Sequence, residues 1–410
     1  MRDIKSLKPL VEKQLDASLE NVSIINLVDL FVEYAYSAGA SDIHLEPAQN
    51  RLRVRYRIDG LLYDSFDTMH IKRELHPEIV SRIKVLAGLR TDEHLLPQDG
   101  RFRVKIEDVT EVDVRVSIMP TYYGENVIMR VLAATQTFEL ANIGLSAPDL
   151  KKIQAAIAKP YGMILANGPT GSGKTTLLYT ILKQLNRSEA SIITIEDPIE
   201  YSLEGTTQIQ TNNEVGLTFA NGLRSILRQD PNIIMVGEIR DEETAQIGVN
   251  AALTGHLVLS TLHTNDSATT FPRLLDMGVP SFLVASTVNI AISQRLVRKL
   301  CQNCKIERKL AIGEIQSLQE IIPGIDPATK FYAPKGCDEC GGFGYRGRLG
   351  IREVLEVNDE IRGFIMSRSS AQDIKDASVR AGMTTMLQDA LEKATQGLTS
   401  IEEVLRAVHE

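Results

Sequence analysis

Residues 163–185 read MILANGPTGSGKTTLLYTILKQL, and this stretch decides the fold. An apolar segment at 163–166 has the character of a short strand. A glycine-rich loop follows, and apolar residues then return at helical spacing over 176–185. Within the loop, Gly168, Pro169, Thr170, Gly171, Ser172, Gly173, Lys174 and Thr175 fit the pattern GxxxxGK[ST]. Glycines let the main chain wrap a phosphate without Cβ clashes, while successive N–H groups and the helix N-terminus face the anion. In such a loop Lys174 reaches the β- and γ-phosphates of a nucleotide and Thr175 holds Mg²⁺. Strand, loop and helix stand in the order the pattern needs, which makes a chance glycine-rich loop the poorer account.

Working outward, short apolar segments at 192–195, 233–236 and 257–260 alternate with helical patterns. That is the rhythm of a parallel sheet covered by helices, an α/β domain. Chemistry in such sheets gathers at the carboxyl ends of the strands. The second segment runs into Glu196-Asp197 and the third into Gly237-Glu238; the fourth is preceded by Gly255-His256 and ends near His263. Carboxylates and imidazoles are therefore expected together beside the phosphate loop. One carboxylate would orient and deprotonate water, and another would hold the metal's water shell. Singly, Glu196 could cap a turn and His256 could be a core histidine; their joint placement favours a site.

The N-terminal half has a different texture. Apolar residues recur at helical spacing over 23–38, and Gly39 can end that helix. Over 51–58, Leu52, Val54, Tyr56 and Ile58 alternate with Arg51, Arg53, Arg55 and Arg57, the pattern of a half-buried strand with a solvated arginine face. Asp59-Gly60 signals a hairpin turn. Further strand patterns at 112–117 and 126–132 complete an α+β unit. His44 sits in a strand-like stretch, where packing is its expected role. The expected organisation is a frayed leader at 1–20, an N-terminal domain at 21–133, a linker at 134–148 and a second domain at 149–410. The second domain includes a cysteine subdomain at 298–350 and a helical packing bundle over 351–410.

With 410 residues, 43% hydrophobic and 24% charged, the chain is long enough for two or more cores of ordinary globular type. The 45 basic against 53 acidic side chains leave a net charge of −8, which argues against non-specific nucleic-acid binding. No run of roughly eighteen apolar residues predicts a spanning helix, and the opening MRDIKSLKPL lacks the apolar core of a secretory signal. A cytoplasmic location is expected. The 4 cysteines form two CxxC pairs, Cys301/Cys304 and Cys337/Cys340, separated by 32 residues. In a reducing compartment this reads as a tetrahedral, structural Zn²⁺ site before disulfides or bare thiols.

At this point the residues resemble a family. SDIHLEP (41–47), LPQDGR (96–101), VDVRVS (112–117), GENVIMR (124–130), GPTGSGKTT (168–176), TIEDPIEY (194–201), LRSILRQDPNIIMVGEIRD (223–241) and AALTGHLVLSTLHTND (251–266) stand in the order found in the secretion-ATPase superfamily. That superfamily includes the motors of type II secretion and type IV pili, and the resemblance covers nearly the whole chain from about residue 23. It implies a homohexamer whose subunits pair a PAS-like N-terminal domain with a RecA-like P-loop ATPase domain, using ATP and Mg²⁺. It implies that residues 168–176, Thr176 included, bind nucleotide; that Glu196 is the water-activating base; and that Glu238 is the metal-side carboxylate. By the same resemblance His256 and His263 sense nucleotide state, Arg224, Arg228 and Arg240 are basic positions near the site, and Arg115 and Arg130 reach ATP phosphates from the N-terminal domain. Asn232 departs from the family's usual aspartate, at a position ahead of the strand.

Assembly and export motors of this family commonly carry the tetracysteine insertion, whereas retraction motors generally lack it. NDSATTFPRLLDMGVP (265–280) and ASTVNIAISQRL (285–296) are similar to the pilus-assembly branch. The implied partners are an inner-membrane platform protein and, indirectly, pilin-like subunits, with peripheral membrane association. Many members also carry an N-terminal docking domain, where this sequence opens at its PAS-like region. Two other functional classes compete: a hexameric RecA-like nucleic-acid translocase, disfavoured by the acidic charge balance, and a regulatory ring that binds ATP without turnover, disfavoured by the intact Glu196 and Glu238.

Overall fold

Leu52, Val54, Tyr56 and Ile58 are buried along one strand while the arginines between them reach the surface, so the alternation in the N-terminal half becomes a sheet with one covered face. The computed structural model describes residues 4–16, 21–64, 71–106, 111–132, 139–321, 325–326 and 329–409. The chain divides into two compact units, Met1–Gln136 and Thr137–Glu410.

The first unit runs α1 (Ile4–Asp16), α2 (Ile24–Ser37), β1 (Ala40–Pro47), β2 (Arg51–Ile58), β3 (Leu61–Asp64), β4 (Ile71–Lys72), α3 (His76–Ala87), β5 (Gln98–Val104), β6 (Val112–Thr121) and β7 (Gly124–Leu132). The strands are ordered β3-β2-β1-β7-β6-β5, with β4 beside β2. Ser23 caps α2 through its hydroxyl, which accepts from Asn26 N–H. Asp59 and Gly60 both take positive φ, as the two central residues of a tight hairpin require. Within the leader expected to fray, the described residues Ile4–Asp16 form a packed helix. Leu7, Val11 and Leu15 recur every four residues and are buried in the same core as Leu27, Phe31 and Ile43. The arginine face is largely paired, Arg53 with Asp64, Arg55 with Glu46 and Arg57 with Asp42. His44 is half-buried, 3.6 Å from Glu46.

The second unit opens with a 3₁₀ turn, Leu140–Asn142, and with α4 (Ala147–Ile157), so part of the stretch expected as a linker is ordered structure; residues 133–138 lie outside the described residues. There follow β8 (Gly162–Asn167), α5 (Lys174–Leu185), β9 (Ile192–Glu196), β10 (Thr207–Gln210), α6 (Phe219–Ile226), β11 (Ile233–Val236), α7 (Glu242–Leu253), β12 (Leu257–Leu262), α8 (Thr270–Asp276), α9 (Ser281–Thr287) and β13 (Val288–Leu300). An excursion then carries β14 (Ile306–Arg308), α10 (Ile312–Ile321) and β15 (Phe331–Ala333) before β16 (Tyr345–Glu356). The sheet order is β10-β9-β11-β12-β8-β13-β16, parallel except for β16, which runs back along β13. All six residues of β8 and all six of β12 are buried, as central strands covered on both faces must be. The cysteines lie on the excursion, whose two ends are held together where Leu300 pairs with Tyr345.

The last helices are α11 (Asp359–Met366), α12 (Ala371–Arg380), α13 (Met386–Thr395) and α14 (Ile401–His409). They are two pairs serving different cores, where the sequence suggested one bundle. Ile361, Ile365, Ile374 and Ala377 join the core beneath α7 and α9, while Ala390, Ala394, Ile401 and Val404 pack with Val297 and Ile351 of the antiparallel pair. Glu353 fixes the second group. Its buried carboxylate accepts from Ser267 N–H at 2.7 Å, Ser267 Oγ at 2.8 Å and Met386 N–H at 3.3 Å. Glu353→Ala leaves those donors without a partner in the interior and is expected to cost about 2–4 kcal/mol. Chemical denaturation checks this; a midpoint equal to wild type would mean that the anchor is dispensable.

Candidate nucleotide site

The phosphate loop spans the gap between β8 and α5. Gly168, Gly171 and Gly173 all have positive φ, which side-chain-bearing residues resist. Gly173 caps α5 without a side-chain hydrogen bond, leaving first-turn N–H groups directed out of the helix for an anion. Thr175 and Thr176 occupy that first turn. Lys174 is buried and its Nζ lies over the loop, donating to Gly168 O at 2.7 Å and Pro169 O at 2.9 Å. Burial lowers the Lys174 pKa from the ordinary lysine value, and the charge of Glu238 works against that shift. Ser172 Oγ is buried with no hydrogen-bond partner among the described residues. A concave loop with spare donors and a buried cation fits a nucleotide phosphate chain and its Mg²⁺.

The two carboxylates differ in what they can do. Glu238 follows β11, with Arg240 Nη2 at 2.6 Å from one oxygen and His263 Nε2 at 3.2 Å from the other. Burial alone would raise its pKa, but the bonds to Arg240 and His263 outweigh it and hold the carboxyl below the usual glutamate range. Glu238 is therefore ionised at neutral pH, within electrostatic reach of Lys174. Glu196, at the end of β9, is buried and well bonded. It accepts from Tyr179 Oη, from Thr194 Oγ1 at 2.6 Å and from Gln208 Nε2 at 3.1 Å. Tyr179 is in turn packed edge-on against Tyr201, ring centroids 4.5 Å apart. These bonds tie β9 to α5 and β10 and use three of the roughly four acceptor sites of a carboxylate. Tyr179 and Gln208 were not singled out from sequence, because nothing in their spacing signals that they converge on Glu196.

The structure brings His263, not His256, to the nucleotide edge. His256 precedes β12, and its Nδ1 sits 2.9 Å from Ala251 O at the end of α7. The six residues of β12, a backbone rise of about 20 Å, lie between the two histidines. Arg224 pairs with Glu243 at 2.5 Å, and Arg228 donates to Arg224 O at 3.0 Å and Ser225 Oγ at 3.2 Å. These contacts lie on α6 and α7, and of the three nearby arginines Arg240 is the one paired with a site carboxylate, Glu238.

In the first unit Arg115 and Arg130 are direct cross-strand partners. Register extends the row across five strands, from Arg101 on β5 through Arg115, Arg130 and Asp42 to Arg57 on β2. Directly paired residues share a face, so four guanidinium groups and one carboxylate line one side of the sheet. Asp42 is buried, and it accepts from Arg130 Nε at 3.0 Å and faces Arg57 Nε at 3.6 Å. Arg101 and Arg57 join the row only through register, which sequence spacing does not give.

The four cysteines converge. Cys301–Cys337 and Cys304–Cys340 Sγ separations are 3.8 Å, Cys337–Cys340 is 3.7 Å, and all four sulfurs lie within 4.8 Å of one another. Tetrahedral Zn²⁺ with Zn–S near 2.3 Å needs sulfur–sulfur edges of about 3.8 Å, whereas a disulfide needs about 2.0 Å. Backbone N–H groups of Cys337 and Gly344 point at Cys340 Sγ at 3.2 and 3.1 Å, which suits a thiolate. The donor set and its spacing fit the metal.

Comparison with known proteins agrees with this geometry. The family described as "Type II/IV secretion system protein" matches residues 17–406. The chain is 43% identical over 397 residues to the type IV pilus assembly ATPase PilB of Myxococcus xanthus, covering 96% of this chain and 69% of that protein. It is 45% identical over 412 residues to the type II secretion system protein E of Xanthomonas campestris pv. campestris, covering 100% of this chain and 70% of that one. The solved pilus retraction motor PilT with bound ADP is 26% identical, with a TM-score of 0.62 over 92% of this chain and 96% of that one. The ATPase DotB of Legionella pneumophila, 23% identical, shares the fold with a TM-score of 0.70 over 96% of this chain and 98% of that one. With its phosphate loop, ionised Glu238 and near full-length match, the chain belongs to the type II/IV secretion system protein family and is an ATP-hydrolysing enzyme of it.

Proposed function

We propose that this chain is a subunit of a homohexameric motor that hydrolyses ATP to drive type IV pilus assembly or assembly of a type II secretion pseudopilus. The observation that carries the reading is the identity with an assembly ATPase and a secretion protein E over almost all of the chain. The motor works from the cytoplasm on an inner-membrane platform protein, and through it on pilin-like subunits. Among the described residues no helix is long and apolar enough to cross a membrane, so membrane attachment would come through that partner. One Zn²⁺ held by Cys301, Cys304, Cys337 and Cys340 is structural. Its four protein ligands leave no open coordination position.

At the nucleotide, Lys174 holds phosphate, Thr175 holds Mg²⁺, and Glu238 works on the metal's water shell and the attacking water. Glu196 positions the edge of the sheet through Tyr179. Arg115 and Arg130 act as closure sensors on the nucleotide. Arginine suits this role because its planar fork stays charged and binds phosphate oxygens in fixed geometry.

The function is tested by deleting the gene in its host. Loss of pili or of secretion should be restored by the wild-type gene and not by a Lys174→Ala copy. Normal pili and secretion in the deletion strain would overturn the proposal. A nucleic-acid translocase would instead show ATPase activity stimulated by DNA and salt-sensitive DNA binding.

Arg115→Ala and Arg130→Ala should lower turnover about 10²-fold or more, the scale of a transition-state charge contact, with the hexamer intact. Steady-state phosphate release and light scattering check both parts. Mixing Arg115→Ala with Lys174→Ala subunits then locates the contact. Recovered activity in mixed rings would show that the arginine serves a neighbour's nucleotide, and that the assignment to its own chain is wrong.

A further inference from the structure

Behind the phosphate loop runs a buried polar chain that the site described so far does not use. Gln294 on β13 and Arg352 on β16 are cross-strand partners, 3% and 4% exposed. Gln294 Nε2 donates to Ser172 O at 2.6 Å, and Arg352 Nε donates to Gln294 Oε1 at 2.6 Å. A guanidinium offers only donors. It therefore holds the amide oxygen toward β16 and turns the amide nitrogen toward the phosphate loop. Arg352 Nη1 also donates to Ile143 O at 2.8 Å, and its main-chain N–H donates to Asp389 on α13, also at 2.8 Å.

The loop is shaped to lie on Gln294, against both its side-chain amide and its main-chain carbonyl. A Cβ on Gly173 would come 2.7 Å from Gln294 Nε2, and one on Gly168 would come 2.5 Å from Gln294 O. Both glycines thus serve the close approach of Gln294 as well as the positive φ of the loop. The guanidinium donates to the neutral acceptors Gln294 Oε1, Ile143 O and Gly350 O. Burial lowers the Arg352 pKa to about 10, with Asp389 and Asp149 opposing the shift, so the group stays charged at neutral pH.

We propose that Gln294 and Arg352 are positioning residues for nucleotide binding: an amide strut, oriented by a buried guanidinium, that holds the Ser172–Gly173 peptide in its phosphate-receiving orientation. The physical link is peptide planarity. In a trans peptide the C=O and the following N–H point in opposite directions. Anchoring Ser172 O on Gln294 therefore aims the Gly173 N–H to the other side, where successive loop N–H groups cradle an anion. Without the strut the peptide is free to rotate, and each binding event must order it again. The strut stabilises bound ground state and transition state alike, so its loss acts on affinity more than on turnover.

The inference rests on the ATPase reading, and the test separates the two. ADP binding, by a fluorescent ADP analogue and by the ADP-induced rise in melting temperature, is measured on the full chain with two variants. Gln294→Met keeps the length of the side chain and removes both hydrogen bonds. Gln294→Glu keeps a partner for Arg352 but presents an acceptor to Ser172 O. Both are expected to bind ADP about tenfold more weakly, with KM for ATP raised in proportion and kcat within about threefold of wild type. Gln294→Glu should melt near wild type without nucleotide, because its carboxylate pairs with Arg352, so it decides the matter if Gln294→Met does not fold. A folded variant that binds ADP as tightly as wild type, or one that loses kcat with KM unchanged, overturns the strut. Failure of the wild-type chain to bind ADP overturns the nucleotide reading itself.

Discussion

Glu238→Gln protein is expected to bind ATP nearly as well as wild type and to hydrolyse it about 10²–10⁴-fold more slowly, the range lost with a positioned general base. The argument starts from charge. Arg240 and His263 keep the Glu238 carboxyl ionised in spite of its burial. An ionised carboxylate can accept a proton from water or hold the metal's water shell, and an amide of the same shape can do neither. Ground-state binding is carried by the loop N–H groups and Lys174, which the substitution leaves in place. Lys174→Ala should show the reverse pattern, losing nucleotide binding itself, because the Lys174 ammonium is the buried charge held on the loop carbonyls. Binding of a fluorescent ATP analogue and steady-state phosphate release separate the two variants. Wild-type hydrolysis by Glu238→Gln would return the base to Glu196 and require its bonds to Tyr179 and Thr194 to break in the working state.

The second large effect concerns metal. Purified wild-type chain should contain about one Zn²⁺ by elemental analysis, and Cys340→Ser or Cys301→Ser should lose the metal and the local fold together. The sulfurs are already spaced as tetrahedral ligands, and two backbone N–H groups address Cys340. The excursion between β13 and β16 has little apolar core of its own at the knuckles, where the cysteines are the buried cluster. Metal binding in such a place is folding free energy, on the order of 10 kcal/mol in small zinc domains. The damage should spread to the α13–α14 turn, since Gln302 and Lys305 both donate to Gly397 O. Limited proteolysis should therefore cut first within 301–344 and then near residue 397. A fully folded, metal-free wild-type chain would remove the structural role of zinc.

Much of the architecture was legible before any coordinates. The phosphate loop is a local device: its glycines, lysine and threonine are consecutive, and the strand and helix beside it announce themselves by period. The CxxC pairs are equally local, and only one arrangement of four thiolates suits the metal. Alternation along β2 named its buried face because the side-chain period of a strand is two. These readings need nothing from distant parts of the chain.

What the sequence could not settle depends on register and on long-range contact. His256 and His263 stand close in sequence, yet a strand of six buried residues places them at opposite ends of β12. Glu196 and Glu238 look equivalent as carboxylates at strand ends. Only the tertiary packing shows that Glu196 is bonded to Tyr179, Thr194 and Gln208 while Glu238 faces Arg240 and His263. The arginine row from Arg101 to Arg57 exists because five strands align in one register, and the strut from Ser172 to Arg352 spans 180 positions of chain. The sequence by itself determined which groups can bind phosphate and metal, since that chemistry belongs to side chains and local backbone geometry. The tertiary structure decided which of them are free to act, because burial and hydrogen-bond saturation are set by residues far apart in the chain.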